Sequence, residues 1–275
     1  MNTLKYIVGC VLAKLFPKLA DEVRKNFTIP NYSWDGHGNF RTTMKKFVRF
    51  YLAKDAKAQE QQNPGGLEAM HREFWNRTDR YFSVTRNRTE EVHIPAYKDI
   101  VQELLPVLVE RRIQTVCEFG TGDGRWLDYL SQQWPVVRNF VGIDISENQI
   151  EGNKGRYRHL TFVQADLLEW VAANAKPHTL YHTCGGVLEY LSEDSVRRLL
   201  QILKQQANGS LVFFIEPLYG SYDLTRDTAS QIIGYEHSYT HNYVHLLEAT
   251  GVTIIRREER KVMGYRNLIV LGCLP

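Results

Sequence analysis

Residues Val116 to Trp126 read Val-Cys-Glu-Phe-Gly-Thr-Gly-Asp-Gly-Arg-Trp: an apolar run, three glycines at alternate positions, then the start of an amphipathic stretch. Such a segment folds as a buried strand, a sharp turn and a helix. The glycines let the backbone turn tightly and approach a ligand with no Cβ in the way. The helix that follows offers free N–H groups and the positive end of its dipole. The turn is therefore suited to an anionic or carboxylate-bearing ligand. A dinucleotide turn has the spacing G-x-G-x-x-G, its third glycine serving close helix–strand packing. Here that glycine would fall at position 125, which is Arg125. The observed spacing is G-x-G-x-G, preceded by Glu118.

Three further strand signals follow in order. Asn139 to Ser146 is a strand ending at Asp144, with Ser146 placed to cap the next helix. A carboxylate about 20 residues after a glycine turn accepts ribose hydroxyls in nucleotide folds. Leu160 to Leu167 is another strand, ending at Asp166. Thr179 to Cys184 runs into Gly185-Gly186-Val187-Leu188-Glu189-Tyr190-Leu191.

Together these segments resemble class I S-adenosylmethionine-dependent methyltransferases. Glu118 and the three glycines match motif I, (E/D)xGxGxG, and the run after the fourth strand is similar to the family's xxVLEHL segment. The resemblance implies S-adenosyl-L-methionine as cofactor. It assigns contacts to Glu118, Gly120, Thr121, Gly122, Gly124, Asp144, Ile145, Asp166, Leu167 and Cys184. In the family the acid at the position of Asp166 bonds the adenine amino group, while the acid at the position of Glu118 lies near the cofactor's amino group. Residue-level alternatives stand beside these roles: Glu118 organising the turn, Asp166 as a helix cap, Cys184 as an inert buried thiol. Glu73 to Phe82 resembles the FW…Y(F) helix that many members fold over the cofactor, which makes Tyr81 a cofactor contact; a packing aromatic is the alternative.

After residue 112 strand and helix signals alternate, which calls for a parallel sheet covered on both faces. Strands are expected near 113–119, 138–144, 159–164, 178–184 and 209–216, with a helix at 193–206. A helix from Thr240 to Thr250 should end at Gly251, followed by strands at 252–255 and 267–273 joined by a charged hairpin. By resemblance the fold is α/β, a Rossmann-like, mostly parallel seven-stranded sheet of order 3-2-1-4-5-7-6, its last strand antiparallel. The expected domains are an N-terminal helical cap or lid, 1–95, and a cofactor-binding domain, 96–275.

In the cap, Leu4, Ile7, Val8, Val11, Leu12, Leu15 and Leu19 fall at helical spacing, and Pro17 should break that helix near its end. A second helix is expected over 40–54, a loop over 59–66, and helices near 67–82 and 96–111. Lys45, Lys46, Arg49 and Lys54 interleave with Phe47, Phe50 and Tyr51, a pattern that fits either packing or peripheral docking on an anionic membrane.

Methyl transfer from a sulfonium is an in-line substitution that depends chiefly on positioning. A hydroxyl acceptor also gains from a base. The connection after the fifth strand holds His237, His241 follows at the start of the next helix, and one of these is the expected base because imidazole titrates near working pH. A capping role for either is the alternative. His241 and His245 lie four apart, but packing is preferred to a metal site and none is expected. The net charge of +3 gives no nucleic-acid footprint. Cys10, Cys117, Cys184 and Cys273 form no C-x-x-C pair and are expected to be reduced. Five N-x-S/T sequons, at Asn26, Asn31, Asn76, Asn87 and Asn208, are read as accidental. The expected protein is cytoplasmic, with peripheral membrane contact through the N-terminal helices left open, and acts on a small-molecule acceptor, most simply by O-methylation. A lipid-like acceptor at a membrane surface and a non-catalytic cofactor-binding subunit are the alternatives; oligomeric state is open.

Overall fold

The computed structural model describes residues 2–26, 40–62, 64–77, 88–220, 222–233 and 237–275. These fall into two compact units. The first takes in residues 1–77 together with 232–239, and the second takes in 78–231 and 240–275. The sequence reading drew its boundary after residue 95 and had no signal for the returning segment 232–239.

Unit 1 is helical. Helix α1 (Asn2–Leu15) stops before Pro17, which opens α2 (Pro17–Lys25) from a position where its missing N–H costs nothing. Helix α3 (Phe40–Gln62) runs eight residues past the expected end, because residues 55–62 are good helix formers and no breaker intervenes before Pro64. Helix α4 (Gly66–Arg77) follows. Its start is capped by Glu60, whose carboxylate accepts from the backbone N–H of Gly65 (2.7 Å) and Leu67 (2.8 Å). The core of the unit holds Leu19, Val23, Met44, Val48, Leu52 and Phe74. Arg49, one of the cations read as available to a membrane, is buried, and Lys45 is paired with Glu22 at 2.7 Å. The returning segment joins this unit: Tyr239 donates to Glu60 (2.6 Å), and Lys57 donates to the Ile232 carbonyl (3.3 Å).

Unit 2 opens with a π-helical turn, Thr89–His93, running into α5 (Ile94–Glu110). Then come β1 (Thr115–Phe119), α6 (Arg125–Gln133), β2 (Asn139–Asp144), α7 (Glu147–Arg156), β3 (Thr161–Gln164), α8 (Leu167–Asn174), β4 (Thr179–Cys184), α9 (Glu193–Gln206) and β5 (Leu211–Leu218). Short strands β6 (Gln231–Ile233) and β7 (Ser238–Thr240) pair with each other. The chain closes with α10 (Tyr243–Thr250), β8 (Thr253–Val262) and β9 (Tyr265–Cys273). The sheet order is β3-β2-β1-β4-β5-β9-β8, with β9 antiparallel to β5 and the other pairs from β3 to β5 parallel. This is the expected seven-stranded, mostly parallel Rossmann-like sheet. Its interior strands are buried along their length, as β1 and β5 illustrate.

The last hairpin differs from expectation. The charged residues 256–261 lie within β8, alternating between half-buried and exposed, and the turn is Met263-Gly264, both at positive φ. Charges on this outermost strand guard an edge that would otherwise invite pairing with another chain. Arg260 also ties it to α5 through Asp99 (2.8 Å). Among the described residues no helix is long and apolar enough to cross a membrane.

Candidate functional site

The strand order reverses between β1 and β4, so the crevice of unit 2 opens at the carboxyl ends of those strands. Three structures meet there: the glycine turn after β1, the tip of β2, and the segment after β4.

All three glycines of the turn take positive φ, +63° at Gly120, +53° at Gly122 and +74° at Gly124. A Cβ on Gly120 would stand 2.6 Å from Val187, and one on Gly124 would stand 3.0 Å from the Phe162 ring. Gly120 thus permits the post-β4 segment to close on the turn, while Gly124 lets α6 start against β3. The turn is tied down in three places. The Gly122 N–H donates to Asp144 (2.9 Å), the Asn153 amide donates to the Gly122 carbonyl (2.7 Å), and the Thr121 N–H donates to the Ile143 carbonyl (3.0 Å).

Asp144 is half-buried and accepts from Ser146 N–H (2.9 Å) as well as from Gly122. Burial raises its pKa, and the N–H bonds from Ser146, Gly122 and Ile145 oppose that rise. Ile145 follows it, half-buried at the strand tip. Asp166 caps α8, accepting from the N–H of Leu168 (3.0 Å) and Glu169 (3.3 Å), with Leu167 as the first helical residue.

Glu118 is buried and its pKa is pushed up to about 8, mainly by burial, with Asp123 and Asp144 adding repulsion. It accepts a hydrogen bond from the Thr121 hydroxyl (2.7 Å). Thr121 itself is buried against Gly142, where a Cβ would stand 2.7 Å from its Oγ1. Its side chain therefore braces Glu118, and only its backbone faces the turn.

At the end of β4, Cys184 is half-buried and its thiol pKa is raised well above normal by burial, so it stays protonated. Gly185 is exposed at φ +85°, and a Cβ there would stand 2.7 Å from the His93 ring. His93 Nδ1 lies 3.9 Å from Cys184 Sγ, and among the described residues its Nε2 carries no hydrogen bond. Burial lowers the pKa of His93 to about 4, so its ring is neutral with a lone pair available.

Two buried carboxyl and imidazole groups shape the site from behind. Glu216, fully buried at the end of β5, accepts from Val187 N–H (3.1 Å) and Leu188 N–H (3.2 Å), and burial pushes its pKa up to about 7. It pegs the segment that touches Gly120. His182 in β4 accepts from the Trp126 indole (2.6 Å) and donates from Nδ1 to the Phe213 carbonyl (2.6 Å). Its pKa falls to about 4 through burial, and it serves as a neutral core spacer.

The two histidines expected as bases are held in different surroundings. His241 is fully buried; its Nε2 donates toward the Leu188 (3.2 Å) and Leu191 (3.1 Å) carbonyls, and its Nδ1 accepts from Ser230 (2.6 Å). Both ring nitrogens are occupied by protein atoms. His237 belongs to unit 1 at φ +52°, and burial together with Arg49 lowers its pKa to about 4; its carbonyl accepts from His71 Nε2 (3.2 Å). His241 braces the segment after β4 through its ring. Tyr81 lies outside the described residues. Among the described residues no cluster of three His, Cys, Asp or Glu side chains could hold a metal.

Sequence reasoning missed Asn153, Glu216 and His93. Asn153 lies in a uniformly polar helix and carried no signal. Glu216 did carry one, as a lone acid in the apolar strand Leu-Val-Phe-Phe-Ile-Glu-Pro-Leu. His93, two residues before Pro95, marked only a helix start.

The sequence model of a family described as "Methyltransferase domain" matches residues 87–261. Among solved structures, magnesium protoporphyrin IX methyltransferase from Synechocystis, with bound S-adenosylmethionine, is similar at 16% identity and TM-score 0.53, covering 76% of this chain and 97% of that one. The N-methyltransferase NodS from Bradyrhizobium japonicum, in complex with S-adenosyl-L-homocysteine, is similar at 15% identity and TM-score 0.52, covering 76% and 99%. None of the curated proteins compared matches the chain.

Proposed function

The chain belongs to the class I S-adenosylmethionine-dependent methyltransferases, and from that premise we propose that it methylates an oxygen of a small-molecule acceptor. The observation that carries the reading is the glycine turn, with three positive-φ glycines and its middle amide fixed to Asp144 at the switch in strand order. The cradle fits the cofactor's chemistry. Exposed Gly120 and Gly185 leave the room that side chains would fill, and the acids at the three strand tips suit a ligand with hydroxyls and amines. S-adenosylmethionine, when bound, supplies a methyl group activated by the positive charge on sulfur.

The chain's own residues divide the work. Asp144 would hold the ribose hydroxyls on the lone pairs that Gly122 and Ser146 leave, and Asp166 with Leu167 would hold the adenine. Gly120, Gly122 and Gly124 shape the turn, with Cys184 and Ile145 as walls. Glu118 would hold the amino group, and a cation beside it would favour its charged form. Thr121, Asn153 and Glu216 hold these groups in place.

We assign the base to His93 in place of His241 and His237. His241 is fully buried with both ring nitrogens hydrogen-bonded to protein atoms, whereas the His93 ring stands at the mouth of β4. General-base assistance at a hydroxyl is worth about 100- to 10,000-fold. The test is to incubate the protein with methyl-labelled S-adenosylmethionine and an extract of its source cell, then partition the products. Label in the aqueous small-molecule fraction supports the reading; label in the organic fraction replaces the acceptor with a lipid-like one. His93→Gln should lower turnover by about two orders of magnitude with cofactor affinity retained. Gly122→Asp should abolish binding by placing a second carboxylate beside Asp144. No label transfer by the wild type under any condition would leave a cofactor-binding protein without turnover and refute the assignment.

A further inference from the structure

Helix α1 is apolar on both faces, and the fold uses only one of them. Gly9 is buried and lies so close to α3 that a Cβ would run into the Phe47 carbonyl. Tyr6 packs on Tyr51, ring centroids 5.3 Å apart, and Leu12 and Ala13 lean on the core of unit 1. That crossing fixes the helix's rotation. It turns Leu4, Ile7, Val11 and Leu15 outward at relative exposures of 67, 53, 47 and 67%. These four belong to the row that falls at helical spacing in the sequence.

The stripe runs about 16 Å along the helix. It continues past Leu15 through Phe16 (47% exposed) into a shallow groove that also takes in Pro17, Lys18, Arg41 and Met44. Its charge has one sign: Lys5, Lys14 and Lys18 flank the apolar row, and the sequence has no acid before Asp21. A helix with this composition lies in the plane of an anionic interface, its apolar side in the acyl boundary and its lysines among the headgroups. A self-complementary contact between two copies would bring like charges together along the same row.

We propose that the outer face of α1 docks unit 1 on an anionic phospholipid bilayer. The docking is peripheral and stands apart from the methyl-transfer reading. Four residues supply the apolar contact, and Lys14 and Lys18 supply the attraction. It relocates the membrane-facing surface from α3, whose Arg49 is spent inside the unit, to α1.

The experiment is flotation of the full chain with vesicles of phosphatidylglycerol and phosphatidylcholine in equal parts, and with phosphatidylcholine alone, at low and high salt. The wild type should float with the mixed vesicles at low salt, and high salt should release it. Ile7→Glu/Val11→Glu should lose at least about tenfold in partition, and Lys14→Glu/Lys18→Glu a similar amount at low salt only. All four positions are exposed or flank the stripe, so circular dichroism and S-adenosylmethionine binding should be unchanged and serve as folding controls. Failure of the wild type to float overturns the proposal. So does equal flotation of Ile7→Glu/Val11→Glu, and so does a dimer in sedimentation that this variant dissolves, since the face would then be covered by a second copy.

Discussion

Cofactor binding should release close to one proton at neutral pH, and Glu118 should be its source. The carboxyl is buried with a pKa of about 8 against an ordinary 4.5, so at pH 7 about nine molecules in ten carry the proton. A ligand ammonium set beside it reverses the balance, because an opposite charge at close range favours the ionised form. A full return to 4.5 would be worth about 5 kcal/mol, the ceiling for what this group can add to affinity at high pH. With a pKa near 8 in the free protein, the share of Glu118 in the Kd for S-adenosylmethionine should fall about tenfold between about pH 6 and pH 7, about fivefold more by pH 8, and level off above that. The assay is titration calorimetry at each pH in two buffers of different ionisation enthalpy, which counts the protons directly. The ligand's own α-amino group titrates near 7.7 to 8, so Glu118→Gln is the reference that isolates the protein's share. This variant keeps an acceptor for the Thr121 hydroxyl and should bind with a flatter pH profile and no released proton below about pH 7. Equal proton release by wild type and Glu118→Gln would refute the reasoning, because the charge would then be developing elsewhere.

Three further expectations follow from the same geometry. Glu216 holds its proton in the fold up to about pH 7 but ionises near 4.5 when unfolded, so its contribution to stability is greatest below 4.5 and is lost as pH rises through 7. Denaturation at about pH 5 and about pH 8 should show Glu216→Gln gaining about 2–3 kcal/mol relative to wild type over that interval; an unchanged difference would mean that the carboxyl is already ionised. Gly120→Ala combines a left-handed backbone with a Cβ 2.6 Å from Val187. The two effects together should cost about 2–4 kcal/mol, seen as a melting temperature lower by about 5–15 °C. His241→Gln should lower the melting temperature while leaving the shape of the pH–rate profile intact. An unchanged melting temperature with turnover lost would return the base to His241.

The sequence by itself determined the sheet of unit 2. Alternating apolar runs and amphipathic stretches dictate strands covered on both faces, and the glycine spacing with Asp144 and Asp166 at strand ends locates the ligand turn. These signals are local: each depends on a periodicity, a cap or a backbone conformation within a few residues. Elsewhere a property belonged to contacts between distant segments, and the sequence could not decide it. His241 looked like a free imidazole until Ser230, Leu188 and Leu191 were seen to enclose it. Asn153 and Glu216 act on Gly122 and Val187 across gaps of 31 and 29 residues, which no motif spans. Segment 232–239 joins helices far earlier in the chain because Glu60 and Lys57 meet it in space. The apolar residues of α1 gave the helix but not its inner face. Periodicity fixes which side chains share a face, but only the close approach at Gly9 decides which face α3 covers and which is left to the solvent.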